Sequence, residues 1–317
     1  MPVNRRQFLA SSSVAAAASA IDLRALFAMA PPAAQAPPQT AFVAVRGSIG
    51  YFMGQGGTIG WHVDKKSVVV IDSQFPATAK ICLDGINERS LSRPIDYLVN
   101  THHHGDHTAG NVVFKPVAKK ILAHVNVPKL QLEAAAAAAA ARNAKPGAPP
   151  PPPPEQVVAN TTYEKTWRED VGDEVMALKH YGPAHTSGDS VVTFEKAYVV
   201  HMGDLVFNRR HPYIDRPGGA SIANWIKALE ATVGDHRKDT IYIFGHANTP
   251  SQVTGTGADL LYQRDYLSAL VDFVRGEMKA GKTREVVIKI TDPLKGFPDH
   301  GPLIERVLAA AYDELSA

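Results

Sequence analysis

The stretch that decides the fold is Thr101-His102-His103-His104-Gly105-Asp106-His107. It comes directly after residues 95–99, which have the apolar character of a buried strand. A strand that ends in a tight turn can direct alternate side chains, here His102 and His104, into one pocket. A glycine then lets the backbone turn, so that Asp106 and His107 face a neighbouring point. Imidazoles and carboxylates grouped in this way indicate a metal site, and the arrangement could serve two metals.

Composition places the chain among ordinary globular proteins. Its 317 residues are 45% hydrophobic and 20% charged, which suffices for one large domain or two small ones. The formal net charge is +2 and no basic stripe occurs, so we expect no nucleic-acid partner and no electrostatic attraction to membranes. The single cysteine, Cys82, excludes an intramolecular disulfide and a thiolate zinc site. A metal must therefore use histidine and carboxylate ligands.

The first residues differ in kind from the rest. They contain the twin-arginine pattern Asn4-Arg5-Arg6-Gln7-Phe8-Leu9, followed by an Ala-rich apolar stretch that is too short to span a membrane. Small-residue cleavage sites occur at 28–30 and 34–36. We predict a twin-arginine signal peptide and short linker over residues 1–36, a domain over residues 37–317, and a periplasmic or secreted protein. The alternative is an unstructured tail with a chance pair of arginines.

Alternating strand-like and helical patterns indicate an α/β fold. The run Ser67-Val68-Val69-Val70-Ile71 is typical of a strand that is buried on both faces. Strands are predicted at 43–46, 59–63, 67–71, 95–99, 121–123, 175–178, 190–194, 197–201 and 240–244. Apolar residues at helical spacing predict helices at 78–89, 222–233, 260–280 and 303–315.

Residues 131–155 interrupt this alternation. Eight alanines at 134–141 favour a helix, and six prolines at 149–154 favour an extended segment. Neither part can pack a core of its own. We interpret residues 131–155 as a surface insertion that acts as a spacer, with a lid edge or a partner-binding arm as alternatives.

Five motifs resemble, in the same order, those of the metallo-β-lactamase superfamily. The central one is His102-x-His104-x-Asp106-His107. The others are Asp72 after the valine-rich strand, Gly182 to Asp189, His201 to Phe207, and Phe244 to Ala247. The resemblance extends over nearly the whole of residues 37–317. It implies a four-layer αββα sandwich with the metals at one edge of the sandwich.

The resemblance also implies which residues hold two zinc ions. The first ion would be bound by His102, His104 and His185. The second would be bound by Asp106, His107 and His246, and Asp204 would bridge or close the pair. His103 lies between ligands and is expected to point the other way. A hydroxide shared by two zinc ions is a nucleophile at neutral pH, and catalytic Asp106 would orient it and later pass a proton.

The expected substrate is a small molecule with a carbonyl centre. Lactam hydrolysis comes first, and lactone or thioester hydrolysis is the alternative, because fold analogy does not name a substrate. An aspartate at position 204 resembles the thioesterase and lactonase branches. Phe207 stands where some β-lactamases place a lysine for the drug's carboxylate, and Arg209 or Arg210 could supply that charge.

Two other classes of protein are further alternatives: an oxidoreductase with the same fold, and a binding protein. A mononuclear-iron sulfur dioxygenase shares the fold but would make little use of His107 and His246 as ligands. A flavodiiron pattern has a glutamate where His104 stands, so the sequence argues against it. If the chain is a binding protein, the Pro-rich segment would bind the partner and the histidines would not be needed for function. The sequence does not indicate an oligomeric state.

Overall fold

The valine-rich strand predicted at 67–71 lies in the middle of a seven-stranded sheet in the computed structural model, which describes residues 39–143 and 155–317. The four N-terminal strands pair antiparallel, and the pairs from the fourth strand to the seventh are parallel. In chain order and in the sheet, the strands are β1 (Ala41–Arg46), β2 (Ile49–Met53), β3 (Ile59–Val63), β4 (Val68–Ile71), β5 (Ile95–Asn100), β6 (Ala118–His124) and β7 (Thr161–Tyr163).

A second sheet is formed by the C-terminal half of the chain. Its six strands have the spatial order β15-β13-β11-β10-β9-β8, and β11 and β13 pair in parallel. They are β8 (Thr166–Val171), β9 (Glu174–Lys179), β10 (Val191–Phe194), β11 (Val199–His201), β13 (Ile241–Ile243) and β15 (Thr254–Gly255). A separate parallel ribbon joins β12 (Phe207–Asn208) to β14 (His246–Ala247).

Helices connect the strands, and the longer ones cover the outer faces of the two sheets. They are α1 (Pro76–Ser90), α2 (Gly105–Thr108), α3 (Asn111–Phe114), α4 (Asn126–Asn143), α5 (Ile222–Asp235), α6 (Gly257–Lys279), α7 (Arg284–Val287) and α8 (Glu305–Ser316). Within the described ranges, none of them combines the length and apolar character that crossing a membrane requires.

Three clusters of buried apolar side chains define the layers. The central cluster joins residues of both sheets, among them Val69 and Val99 from the first and Val192 and Ile243 from the second. A second cluster packs the outer face of the first sheet against α1, where Cys82 is a buried free thiol. The third includes side chains of α5, α6 and α8 beside the second sheet. Two sheets between two helical layers confirm the predicted αββα sandwich.

The predicted elements match the structure best where the pattern is long and regular. The helix predicted at 260–280 begins slightly earlier, because Thr256 and Asp259 form a capping box at its N-terminus. The strand predicted at 197–201 begins only at Val199, since Tyr198 has a positive φ of 53°. The alanines at 134–141 are helical within α4, as expected.

Six of the described strands were not predicted: β2, β7, β8 and the two-residue strands β12, β14 and β15. Strand β2 contains Gly50, which weakens a strand pattern. Only the packing explains this glycine, because a Cβ there would lie 2.2 Å from the Trp61 ring across the sheet. Strand β8 is a mostly polar hairpin strand, and β7 has only three residues. The predicted signal peptide and the prolines at 149–154 lie outside the described residues.

Candidate metal centre

The predicted site residues meet at one edge of the sandwich. Strand β5 ends at Asn100 and leads directly into the histidine run, which continues into the short helix α2. Asp72 follows β4, the parallel neighbour of β5, and Asp204 follows β11 in the second sheet. Parallel strands end at the same edge of a sheet, so residues distant in the chain come together there.

A first group of ligand atoms comes from His102, His104, His185 and Asp204, whose donor atoms all lie within 4.8 Å of one another. His104 Nδ1 is 3.0 Å from both His102 Nε2 and His185 Nε2. Asp204 Oδ2 is 3.8 Å from His102 Nε2 and 3.6 Å from His185 Nε2. We call these four residues the first group.

A second group adjoins the first and consists of Asp106, His107 and His246, again with donor atoms within 4.8 Å. His246 Nε2 lies 3.1 Å from Asp106 Oδ2 and 3.2 Å from Asp204 Oδ2. The other oxygen of Asp204 is 3.0 Å from His107 Nε2. Asp204 therefore stands between the two groups, and the structure brings together all seven residues that the sequence singled out.

The two groups differ in charge. Burial holds the pKa of His102 well below its ordinary value and lowers that of His185 to about 3, so both imidazoles are neutral. Burial by itself lowers the pKa of His246, but the carboxylates of Asp204 and Asp106 outweigh burial and raise this pKa to about 9. Burial by itself raises the pKa of Asp106, but the neighbouring His107 and His246 lower it to about 2. The first group thus offers neutral nitrogens, and the second pairs imidazoles with carboxylates.

The donor set fits a divalent cation. The Asp204 carboxylate is 4% exposed, and its Oδ1 accepts no well-directed hydrogen bond within the part of the chain that the structure describes. Buried carboxylate oxygens are ordinarily paired, and nitrogen and oxygen donors from histidine and aspartate are those zinc prefers when thiolates are absent.

Each imidazole of the first group is oriented by a partner that contacts the ring nitrogen facing away from the centre of the group. His185 Nδ1 is 2.7 Å from the Tyr213 carbonyl oxygen, and His102 Nδ1 is 3.1 Å from Thr101 Oγ1. His104 Nε2 is 3.0 Å from Asp215 Oδ2. Such partners fix which ring nitrogen carries the proton and leave the other as a ligand.

His107 of the second group has a comparable partner in Asp72. The ring Nδ1 lies 2.8 Å from Asp72 Oδ2, and both side chains are fully buried. The same carboxylate accepts hydrogen bonds from the backbone N–H and the hydroxyl of Thr101. Asp72 has a positive φ of 64°, which turns the chain sharply after β4. Asp72 thus joins the end of β4 to Thr101 and His107 in the histidine run.

Sequence reasoning missed Asp215. This buried residue accepts hydrogen bonds from His104 and, at 3.3 Å, from His103 Nε2, so that His103 points away from the two groups as expected. The available signal was the turn-forming Pro217-Gly218-Gly219 beside it, which by itself does not indicate a contact with residues more than a hundred positions away. His201 lies close by but is bonded to the Thr58 carbonyl and the Gly203 N–H.

A cavity of about 590 Å³ opens on the His246 side of the centre. Its lining contains glycines 54, 56, 57 and 245 and the apolar side chains of Met53, Pro250 and Val253. Arg210 is the one lining residue with a permanent charge. The cavity is thus suited to a compact, partly apolar group with one negative charge.

The two adjacent arginines have different surroundings. Arg209 pairs with Asp259 and Asp299 and stacks on the Tyr262 ring at 3.8 Å, so it is engaged in the fold. The Arg210 guanidinium is exposed and makes no hydrogen bond or ion pair with any described residue. Among the arginines whose side chains are described, only Arg306 shares this property, and it lies 5.9 Å from the Tyr213 ring centre.

Comparison with known proteins gives one family and many structural neighbours. The sequence profile of the Metallo-beta-lactamase superfamily matches residues 57–262, more than half of the chain. No curated protein sequence matches significantly.

Three solved structures illustrate the structural likeness. The stereoselective inverting sec-alkylsulfatase Pisa1 from Pseudomonas sp. superposes with a TM-score of 0.67 at 18% identity, over 86% of this chain and 50% of that one. A metallo-beta-lactamase from Pontibacter korlensis gives 0.58 at 15% identity, over 73% and 99%. The DIM-1 metallo-beta-lactamase gives 0.56 at 18%, over 73% and 98%. The chain thus spans about half the length of the alkylsulfatase, and these identities show a common fold alone.

A substitution at Gly57 tests how little space surrounds the second group. A Cβ at this position would lie 2.1 Å from His107 Cε1 and 2.3 Å from His107 Nε2, whereas a Cβ at Gly105 would meet nothing within 4 Å. Because Asp72 holds the ring from its other side, we expect Gly57→Ala to displace His107 and to lower the metal content per chain. Gly105→Ala is the control and should retain the metal. The measurement is elemental analysis after dialysis, with circular dichroism to verify folding; equal metal content in the two variants would contradict the expectation.

Proposed function

Because the chain belongs to the metallo-beta-lactamase superfamily, whose members are hydrolytic metalloenzymes, we propose that it is a dinuclear zinc hydrolase that cleaves a small substrate at a carbonyl centre. One ion would be held by His102, His104 and His185, and the other by Asp106, His107 and His246, with Asp204 between them. The observation that carries the proposal is the convergence of these side chains in two adjoining groups that share Asp204. Such paired sites are typical of hydrolytic chemistry.

Zinc suits the donors, since imidazoles and carboxylates without thiolate are typical of its catalytic sites. When bound, the metals supply Lewis acidity, which lowers the pKa of water and polarises the group under attack. The chain itself contributes a dry and fixed frame for this chemistry. His102 and His185 are fully buried and held from behind, so little rearrangement is needed when a substrate arrives.

Asp106 is the proposed catalytic carboxylate. It is the most exposed side chain of the second group, at 29%, and its Oδ2 is held by His246 Nε2. Its low pKa keeps it ionised as a hydrogen-bond acceptor, so it can orient the attacking water through a carboxylate oxygen. A group with so low a pKa holds a proton only briefly, which suits transfer onward to the leaving group.

The cavity beside His246 supports a lactam as the first candidate for the substrate. It is compact and partly apolar and is lined by Arg210, whose guanidinium has no partner in the described ranges; this combination fits a small cyclic amide with a carboxylate. Lactones and thioesters form the second candidate class. The carboxylate of Asp204 favours these, since aspartate at this position resembles the lactonase and thioesterase branches.

Activity of the zinc-loaded protein against four substrates tests the reaction class: a cephalosporin, an acyl-homoserine lactone, a glutathione thioester and a secondary alkyl sulfate. We expect cephalosporin turnover, and His104→Ala should reduce it at least about 100-fold, because even loss of a ligand's hydrogen-bond partner costs about 10–100-fold. His236→Ala, at a histidine bonded to Thr193 and Thr232, is the control and should stay active.

The other outcomes separate the alternatives. One iron per chain with no hydrolysis would replace the hydrolase by a dioxygenase. If the protein binds two zinc ions but hydrolyses none of the four substrates, a lactam, lactone or thioester is rejected and phosphoesters should be tested next. Unchanged cellular function in His104→Ala, but loss on deletion of residues 134–154, would support a binding protein instead.

Arg210 should recognise the negative charge of the substrate. We expect Arg210→Gln to raise KM for an anionic substrate about 10-fold, which corresponds to the loss of one charged hydrogen bond, with little change in kcat. KM for a neutral analogue should stay the same. Arg275→Gln, on α6 and paired with Asp272, is the control. An equal rise in KM for charged and neutral substrates would contradict charge recognition.

We further propose that residues 1–36 direct export through the twin-arginine route and that the mature domain spans residues 37–317. The support is the pattern Asn4-Arg5-Arg6-Gln7-Phe8-Leu9 and the short apolar stretch behind it. Replacing Arg5 and Arg6 together by lysine should retain the protein inside the cell, as fractionation would show. Unimpaired export of this double variant, or of a protein lacking residues 1–36, would refute the assignment.

A further inference from the structure

We propose that Asp215 is a positioning residue for one metal only: it fixes the ring of His104 and thereby sets the affinity of the first group for its cation. The inference rests on the proposed dinuclear function. It concerns a residue outside the five motifs of the sequence, located in the loop of residues 213–221 between β12 and α5.

Both carboxylate oxygens of Asp215 are in use. Oδ2 accepts from His104 Nε2 at 3.0 Å and from His103 Nε2 at 3.3 Å. Oδ1 accepts from the Gly218 N–H at 3.1 Å. The residue is 6% exposed, so water does not compete effectively for these bonds. A carboxylate held from both sides in this way is a rigid acceptor for the imidazole.

The bond to Asp215 decides which nitrogen of His104 can serve as a ligand. An imidazole that donates from Nε2 keeps its lone pair on Nδ1. His104 Nδ1 is the atom 3.0 Å from both His102 Nε2 and His185 Nε2, at the centre of the first group. Without the acceptor, the ring can adopt the other tautomer, which directs an N–H at the centre and opposes cation binding.

The backbone of the 213–221 loop positions the third histidine of the same group. The Tyr213 carbonyl oxygen lies 2.7 Å from His185 Nδ1, and the Asp215 N–H donates to the His185 carbonyl at 3.3 Å. Two more bonds, Ser187 N–H to Gly218 and Ser221 N–H to Ala184, join the loop to the His185 segment. These contacts do not involve the Asp215 side chain. Asp215→Asn therefore removes the negative charge behind His104 and leaves a single oxygen acceptor for His104 and the Gly218 N–H together, while retaining the backbone bonds.

The second group offers a matched control. Asp72 holds His107 Nδ1 at 2.8 Å just as Asp215 holds His104 Nε2, and neither carboxylate contacts a histidine of the other group at hydrogen-bond distance. Asp72→Asn and Asp215→Asn remove the same charge; Asp72 contacts a ligand histidine of the second group directly and reaches the first group only through Thr101, which is bonded to His102. Opposite site preferences in the two variants distinguish positioning from a general loss of structure.

The experiment is a titration of the metal-free full chain with Zn²⁺ alone, in competition with a chromogenic chelator. His185→Ala and His246→Ala, which each lack one ligand of one group, assign the two affinities. Asp215→Asn should weaken the first group about 10–100-fold and change the second by less than about threefold. Asp72→Asn should show the reverse pattern.

A second measurement does not depend on any variant. Long-range ¹H–¹⁵N NMR of the zinc-loaded wild-type protein, with labelled histidines, should find His104 protonated at Nε2 and the other ligand histidines at Nδ1. Protonation of His104 at Nδ1 would overturn the inference, as would equal weakening of both groups in Asp215→Asn or wild-type affinities in that variant. Fewer than two zinc ions on the wild type would instead reject the dinuclear function on which the inference rests.

Discussion

The rest of the structure depends on carboxylates buried among imidazoles at one edge of the sandwich. Asp204 is 4% exposed, and burial by itself raises the pKa of a carboxyl group. The surrounding His107 and His246 reverse that effect and hold the Asp204 pKa well below its ordinary value. A buried charge of this kind is tolerated only where its partners are fixed. Every segment that reaches the edge must therefore deliver its side chain accurately.

The two sheets meet this demand through close contacts that leave no room for a Cβ. A Cβ at Gly57 would strike the His107 ring, and one at Gly245 would lie 2.1 Å from Asp204 Oδ1. Behind the imidazoles stand two buried carboxylates, Asp72 after β4 and Asp215 in the 213–221 loop. The site is thus enclosed in front by glycines and oriented from behind by acidic groups, and chemistry at its centre needs little reorganisation.

The two groups of ligands are not equivalent, and this difference bears on function. The first consists mainly of neutral imidazoles, while the second pairs His107 and His246 with carboxylates. The cavity opens on the His246 side, next to Arg210. Of the seven ligand candidates, His246 is the one in the described lining of this cavity. One fold serves many reactions in this superfamily, so the proposed choice between a lactam and a lactone or thioester rests on the lining of this cavity and not on the fold.

From the sequence alone, local patterns predict the buried strands and a metal site in the histidine run that follows one of them. The resemblance to the superfamily then implies the sandwich, the seven ligand candidates and the place of Asp204 between two groups. Only the tertiary structure revealed that Asp215 holds His104 and that Arg209 is engaged with Asp259 and Asp299. It also showed that the Arg210 guanidinium has no hydrogen-bond or ion-pair partner among the described residues. It also revealed why Gly50 belongs to a strand. The physical reason is the range of the interactions: a strand or helix pattern is written in adjacent residues, whereas the partner of a buried side chain is chosen by how distant segments pack.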